Sequence, residues 1–271
     1  MAAQELVATQ RDGDVLIIRL ANPESRNSMT MDMREQLGAA IALAEREPGI
    51  RAVFLTGDGP TFCSGGDLNH LRTACDPWTV HRRFRNLSRW LTPLITLDKP
   101  VVVGVNGHAV GGGMGLALTG DVVIAGESAK FMSGFFRLGV VPDIAVMYHL
   151  PRLIGMARAK NFLFSGGTFS AQEAADLGLV SKVVADADLY DAGLAEARRL
   201  AEGPAEVMGL AKAVMARSFE TSLHDMLAFE GFGQVLAMSN PEFREGLNAA
   251  LERRRPDFAG AAAVANQGDQ A

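Results

Sequence analysis

Three stretches of this 271-residue chain bring together residue types that chemistry can use. In Thr61-Phe62-Cys63-Ser64-Gly65-Gly66-Asp67-Leu68, two glycines sit among small polar residues. Glycine lets a ligand approach the main chain, so the run suits a loop whose backbone N–H groups face a bound group. The plain alternative is a strand-to-helix turn with Asp67 as the cap. The second stretch, Asn106-Gly107-His108-Ala109-Val110-Gly111-Gly112-Gly113-Met114-Gly115, follows one apolar run and opens another. Unpaired N–H groups at such a helix start meet an anion or an oxyanion, unless the glycines serve packing alone. The G-x-G-x-x-G spacing of a dinucleotide site is missing. In the third, Asp143 stands among apolar residues directly after Pro142. Such an aspartate either caps a helix or is a carboxylate whose pKa desolvation raises, which makes it a useful base.

Elements that position these residues follow from the patterning. Leu6–Arg11 and Val15–Leu20 flank Asp12-Gly13-Asp14, which predicts a hairpin. Thr30 caps a helix expected to run to about Glu47, with Leu37, Ala40, Ile41 and Ala44 at helical spacing. Arg51–Thr56 and Val122–Ala125 are short strand-like runs, and Val101–Val105 suits a strand buried on both faces. A helix is expected over about Asp76–Leu97, and from Ile144 onward helix follows helix. Ser170-Ala171-Gln172-Glu173 is a capping box. The expected division is a β/α core over 1–200, a helical subdomain over 201–258 and a tail over 259–271.

Composition narrows the class. With 48% hydrophobic and 21% charged residues, the chain reads as an ordinary soluble globular protein. A net charge of -5 argues against nucleic acid as the main partner. Two cysteines, Cys63 and Cys75, are too few for a disulfide framework and fit a reducing compartment. With no signal-like start and no run near the ~20 apolar residues of a membrane span, the cytoplasm is the expected location. No metal-ligand cluster is visible, so neither metal nor redox cofactor is expected.

Together the three stretches resemble the crotonase superfamily, the enoyl-CoA hydratase/isomerase family. Phe62-Cys63-Ser64-Gly65-Gly66-Asp67-Leu68 looks like its first oxyanion loop, and Asn106 to Gly115 like its second. Further matches are Asn22-Pro23 with Arg26-Asn27, the run from Ser170 to Val180, and Glu245-Gly246 with Arg255-Pro256-Asp257-Phe258. The resemblance implies an α/β crotonase-like spiral of ββα units with a helical C-terminal trimerisation region, assembled as a trimer or a dimer of trimers. It implies an acyl-CoA substrate, with the backbone N–H groups of Ser64 and Gly112 stabilising a thioester enolate. Asp143 falls where several family isomerases carry their acid/base aspartate. Gly-Val-Val-Pro-Asp followed by Leu-Pro-Arg-Leu-Ile-Gly resembles the isomerases of phenylacetate degradation.

Departures from the family pattern are as informative. Family hydratases place two glutamates over the double bond, at positions where this chain has Gly115 and Phe135. One carboxylate suffices to take a proton from one carbon and return it to another, whereas water addition wants a second group. The count favours an isomerase, with a hydratase or CoA-ester hydrolase using Asp143, and a non-catalytic acyl-CoA binder, as alternatives. Ala145-Val146-Met147 is bulkier than the glycine-rich continuation common in those relatives. For coenzyme A, which enters only as part of the substrate, the resemblance points to Arg26, Cys63, Ser64, Gly66, Asp67, Leu68, Gly112, Phe135 and Phe258. Met114, Met132, Phe136 and Met147 are candidates for an acyl pocket, with core packing as the alternative. His108 reads as packing beside the second loop, and Arg253-Arg254-Arg255 as a solvated helix end or a phosphate contact.

Overall fold

The computed structural model describes residues 4–68, 72 and 76–262. Strands β1 (Val7–Asp12) and β2 (Val15–Leu20) form the expected hairpin, with Gly13 in the left-handed region at φ +57°. Helix α1 (Met31–Arg46) starts where Thr30 Oγ1 accepts a hydrogen bond from the Met33 N–H, and it buries Met33, Leu37, Ala40, Ile41 and Ala44. Strand β3 (Ala52–Gly57) then pairs in parallel with β2. The single helix expected over 76–97 is two, α2 (Pro77–Leu87) and α3 (Leu91–Ile95), and the Asp76 carboxylate caps the first.

Strand β4 (Val101–Val105) is followed by β5 (His108–Val110), α4 (Gly112–Ala117), β6 (Val122–Gly126) and β7 (Lys130–Met132). Next come α5 (Val146–Ile154), α6 (Met156–Phe164), β8 (Thr168–Ser170), α7 (Ala171–Asp176), β9 (Lys182–Val184) and α8 (Leu189–Ala201). The chain closes with α9 (Ala205–Met215), α10 (Leu223–Ser239) and α11 (Pro241–Glu252). The succession of helices expected from Ile144 onward is thus corrected by β8 and β9. Residues 258–262 are helical, so the expected tail does not begin at 259, and 263–271 lie outside the described residues.

Six strands form one sheet in the order β1-β2-β3-β4-β6-β9, parallel except for the hairpin, and β5-β7-β8 form a small second sheet. Successive side chains of a strand point to opposite faces. Val15, Ile17, Ala52, Phe54 and Val102 therefore pack on one side, with Leu189, Leu194 and Ala197 of α8. Leu16, Ile18, Val53, Leu55, Val101 and Val103 enter the main core on the other. Burying each such side chain contributes roughly 1.5–3 kcal/mol before entropy is counted. The units β4-β5-α4 and β6-β7 both step from the large sheet to the small one. That repeated step is the ββα spiral, and it brings the two glycine-rich loops together.

Candidate active site

Asn27 fixes the first wall of the site. It is fully buried, its Oδ1 accepts from the Asn22 N–H, and its Nδ2 donates to the carbonyls of Asp58 (2.9 Å) and Thr61 (2.8 Å). The Asn22–Ser28 loop is thereby tied to the start of the first glycine loop. At 3.0 Å, the Ser64 N–H donates to the Arg26 carbonyl, and the Met29 N–H donates to Gly65 O at 2.8 Å. Gly65 sits at φ +86°, where a Cβ would meet Val110 O at 2.6 Å, so only glycine fits.

The two loops meet main chain to main chain. The Cys63 N–H donates to His108 O, and the Val110 N–H donates to Cys63 O. Gly113 lies against the Cys63 backbone without room for a side chain. The Gly111 N–H is taken by Met132 O, and Gly112 is the first residue of α4, whose leading N–H groups have no intrahelical acceptor. Of those residues, Gly112 borders the cleft while Gly113 and Met114 do not.

These contacts correct one expectation. The Ser64 N–H is already spent on Arg26, so it is not available to an oxyanion. Among the described residues, Gly66 makes no hydrogen bond through its N–H, and Gly66 lines the same cleft as Gly112. Spacing alone did not distinguish the two positions; the hydrogen bond to Arg26 does.

Asp143 enters from the far side. The loop after the 3-10 turn Phe136–Leu138 ends in a buried Pro142, and Asp143 Oδ1 stands 3.4 Å from the point a Cβ on Gly112 would occupy. It does not cap α5: that helix starts from Ala145, with no side-chain cap bond. Ile144 and Ala145 are both left-handed, at φ +48° and +56°. For non-glycine residues this costs about 1–3 kcal/mol each, and a β-branched residue there is an outlier. Burial pushes the Asp143 carboxyl above its ordinary pKa, while the Arg34 guanidinium pulls it back. Arg34 escaped the sequence reading, because nothing in α1 told which helix face would border a cleft.

The cleft holds about 660 Å³. Arg26, Ser64, Gly66, Asp67, Leu68, Gly112, Phe135 and Asp143 line it, together with Met132, Met29, Arg34 and Val141. Cys63 does not: its thiol is fully buried, and burial pushes its pKa up to about 12. Cys75 lies outside the described residues. Phe258 also stays outside the cleft of its own chain, its ring lying against Gly246. Met114 is core, and Phe136 and Met147 are exposed away from the lining. His108 is solvent-exposed. Arg254 is bound to Glu245 and Glu252, and Arg255 to Glu202, so these two cations are engaged with carboxylates.

Both glutamate positions of the hydratase pattern are closed. At Gly115 a Cβ would come within 2.9 Å of Ile144 Cβ and of Val146 Cγ2, with the Ile144 carbonyl closer still. Phe135 is 5% exposed, and its ring lies 3.7 Å from the point a Cβ on Gly111 would occupy.

Known proteins agree with this architecture. The sequence model described as enoyl-CoA hydratase/isomerase matches residues 10–261. The chain is 36% identical over 260 residues to the 1,2-epoxyphenylacetyl-CoA isomerase of Escherichia coli (strain K12), covering 94% of this chain and 99% of that protein. It is 38% identical over 245 residues to a "Probable enoyl-CoA hydratase" of Rhodobacter capsulatus, covering 90% and 94%. Among solved structures, the enoyl-CoA hydratase of Bacillus anthracis superposes with a TM-score of 0.88 at 30% identity, covering 94% of this chain and 99% of that one. The enoyl-CoA hydratase/isomerase of Cupriavidus metallidurans CH34 gives 0.89 at 29% identity, covering 95% and 97%. Matched over most of its length in sequence and in fold, the chain belongs to the enoyl-CoA hydratase/isomerase family.

Proposed function

We propose that this protein is an enoyl-CoA isomerase with a single acid/base residue, Asp143. One observation carries the reading: a half-buried carboxylate stands beside Gly112, while both positions for a water-activating glutamate are filled. The thioester oxygen accepts hydrogen bonds from the N–H groups of Gly66 and Gly112. The Asp143 carboxylate removes a proton from C2, and the charge moves onto that oxygen. Collapse of the enolate shifts the double bond from C3–C4 to C2–C3, and Asp143 returns the proton to C4. Loss of one oxyanion donor typically costs about 100–1000-fold in rate. The similarity to a protein named as an isomerase of a ring-epoxide thioester supports isomerisation of an acyl-CoA.

Coenzyme A enters as part of the substrate, with Arg26 at the rim near its phosphates and the Asp67-Leu68 main chain near its adenine; no other cofactor is needed. Phe258 closes over it from a neighbouring subunit of a homotrimer or a dimer of trimers. The test is conversion of a 3-enoyl-CoA to the conjugated 2-enoyl thioester, followed by its absorbance. Turnover by the parent should fall about 100–10,000-fold in Asp143→Asn, the usual contribution of a general base. Equal turnover by both would remove Asp143 from the mechanism.

A further inference from the structure

Ile144 combines three observations. It holds a left-handed backbone, φ +48°, that a β-branched residue rarely adopts. It is 2% exposed, while Asp143 before it and Gly112, which it packs against, both line the cleft. Its Cγ1 lies 3.0 Å from the point a Cβ on Gly112 would occupy, and its Cβ lies 2.9 Å from the corresponding point on Gly115. One side chain thus spans from the oxyanion residue to the position where a hydratase would hold its first glutamate. Glycine would take this conformation without strain. An isoleucine kept there beside a catalytic carboxylate therefore points to work done by the side chain.

We propose that Ile144 is the residue that sets the reaction outcome, by keeping water away from Asp143 and from C3 of the bound 2-enoyl product. The proposal rests on the isomerase reading above. A conjugated thioester is electrophilic at C3. If water reached that carbon, Asp143 would take a proton from it, the oxygen would bond to C3, and the proton would return to C2. The sum is addition of one water across the double bond, with no other reactant. Packing of Ile144 over Gly112 and Gly115, with the Phe135 ring against Gly111, leaves the abstracted proton only carbon to return to.

The experiment presents 3-enoyl- and 2-enoyl-CoA to the parent, Ile144→Gly, Ile144→Val and Ala145→Gly in ¹⁸O-water, with products weighed by mass spectrometry. The parent should give isomerised product with little hydrated thioester. Ile144→Gly should raise the ratio of ¹⁸O-labelled hydrated product to isomerised product at least tenfold. Ile144→Val, which keeps the β-branch, should retain the parent ratio. Ala145→Gly relieves strain at the next residue without opening the site, and should also retain it. A second readout needs no turnover: carbon NMR of labelled aspartate should show the Asp143 titration in Ile144→Gly returning toward the ordinary range as water enters. An unchanged product ratio in a folded, isomerising Ile144→Gly, or an unmoved titration, would overturn the proposal. If the parent isomerises no 3-enoyl-CoA, the isomerase reading falls, and the titration still decides whether Ile144 shields the carboxylate.

Discussion

Asp143 and Arg34 face one cleft and act on one proton in opposite directions. Burial raises the carboxyl pKa above 3.8, and the guanidinium lowers it. A base works only when deprotonated, so activity should be lost as the pH falls through the raised Asp143 pKa. Arg34→Gln removes the opposing charge and leaves burial the stronger influence. The acid limb of the kcat/KM profile should therefore move to higher pH, with activity at alkaline pH much less affected. A limb that stays in place would show that Arg34 does not act on Asp143. At this scale the sequence singled out an aspartate that borders the cleft, because a proline and apolar neighbours surround it. Arg34 was invisible, since its meaning comes from a tertiary contact. The choice between Ser64 and Gly66 was equally hidden, because it turns on one hydrogen bond to Arg26 across the fold.

Turns and loops do most of the positioning, and their signals vary in strength. The β1–β2 hairpin, the Thr30 cap and the Ser170/Glu173 capping box were legible because each rests on local chemistry. Strands β5, β7, β8 and β9 were not, as three residues carry no usable periodicity. Asn27 lies between these cases: its type and place were recognisable, but its role needed the structure. Its side chain holds three backbone groups of two loops, and it sits beside Arg26, whose carbonyl in turn holds Ser64. Asn27→Ala strands those buried groups, each costing roughly 1–3 kcal/mol when left without a partner, offset where water can enter. We expect a loss of about 2–3 kcal/mol in urea unfolding, and a fall in isomerisation beyond what the unfolded fraction explains. Unaltered kinetics in the folded variant would mean that the first loop keeps its shape without the latch.

On the scale of the whole molecule, the C-terminal helices are tied to the core through a buried ion pair and left open elsewhere. Arg51, just before β3, donates to the carbonyls of Ala201 and Gly203 and pairs with Glu242 of α11 at 2.8 Å, with both side chains buried. That joint fixes where α9 to α11 leave the sheet. Beyond it, Leu223, Leu227, Phe232, Val235 and Leu236 of α10 are each more than half exposed in the single chain. Exposed apolar surface gathered on one helix marks a contact with another molecule. A second copy of the chain is the occupant in our proposal, in keeping with the homotrimer or dimer of trimers proposed above. Light scattering on the purified protein should then give three or six times 28.9 kDa. Phe232→Glu combined with Val235→Glu should shift it toward one, since burying two carboxylates opposes assembly. If assembly serves the site, KM for the acyl-CoA should rise together with dissociation, while dilution of the parent should reproduce the same rise. A monomeric parent with full activity would instead confine the site to the residues of one chain.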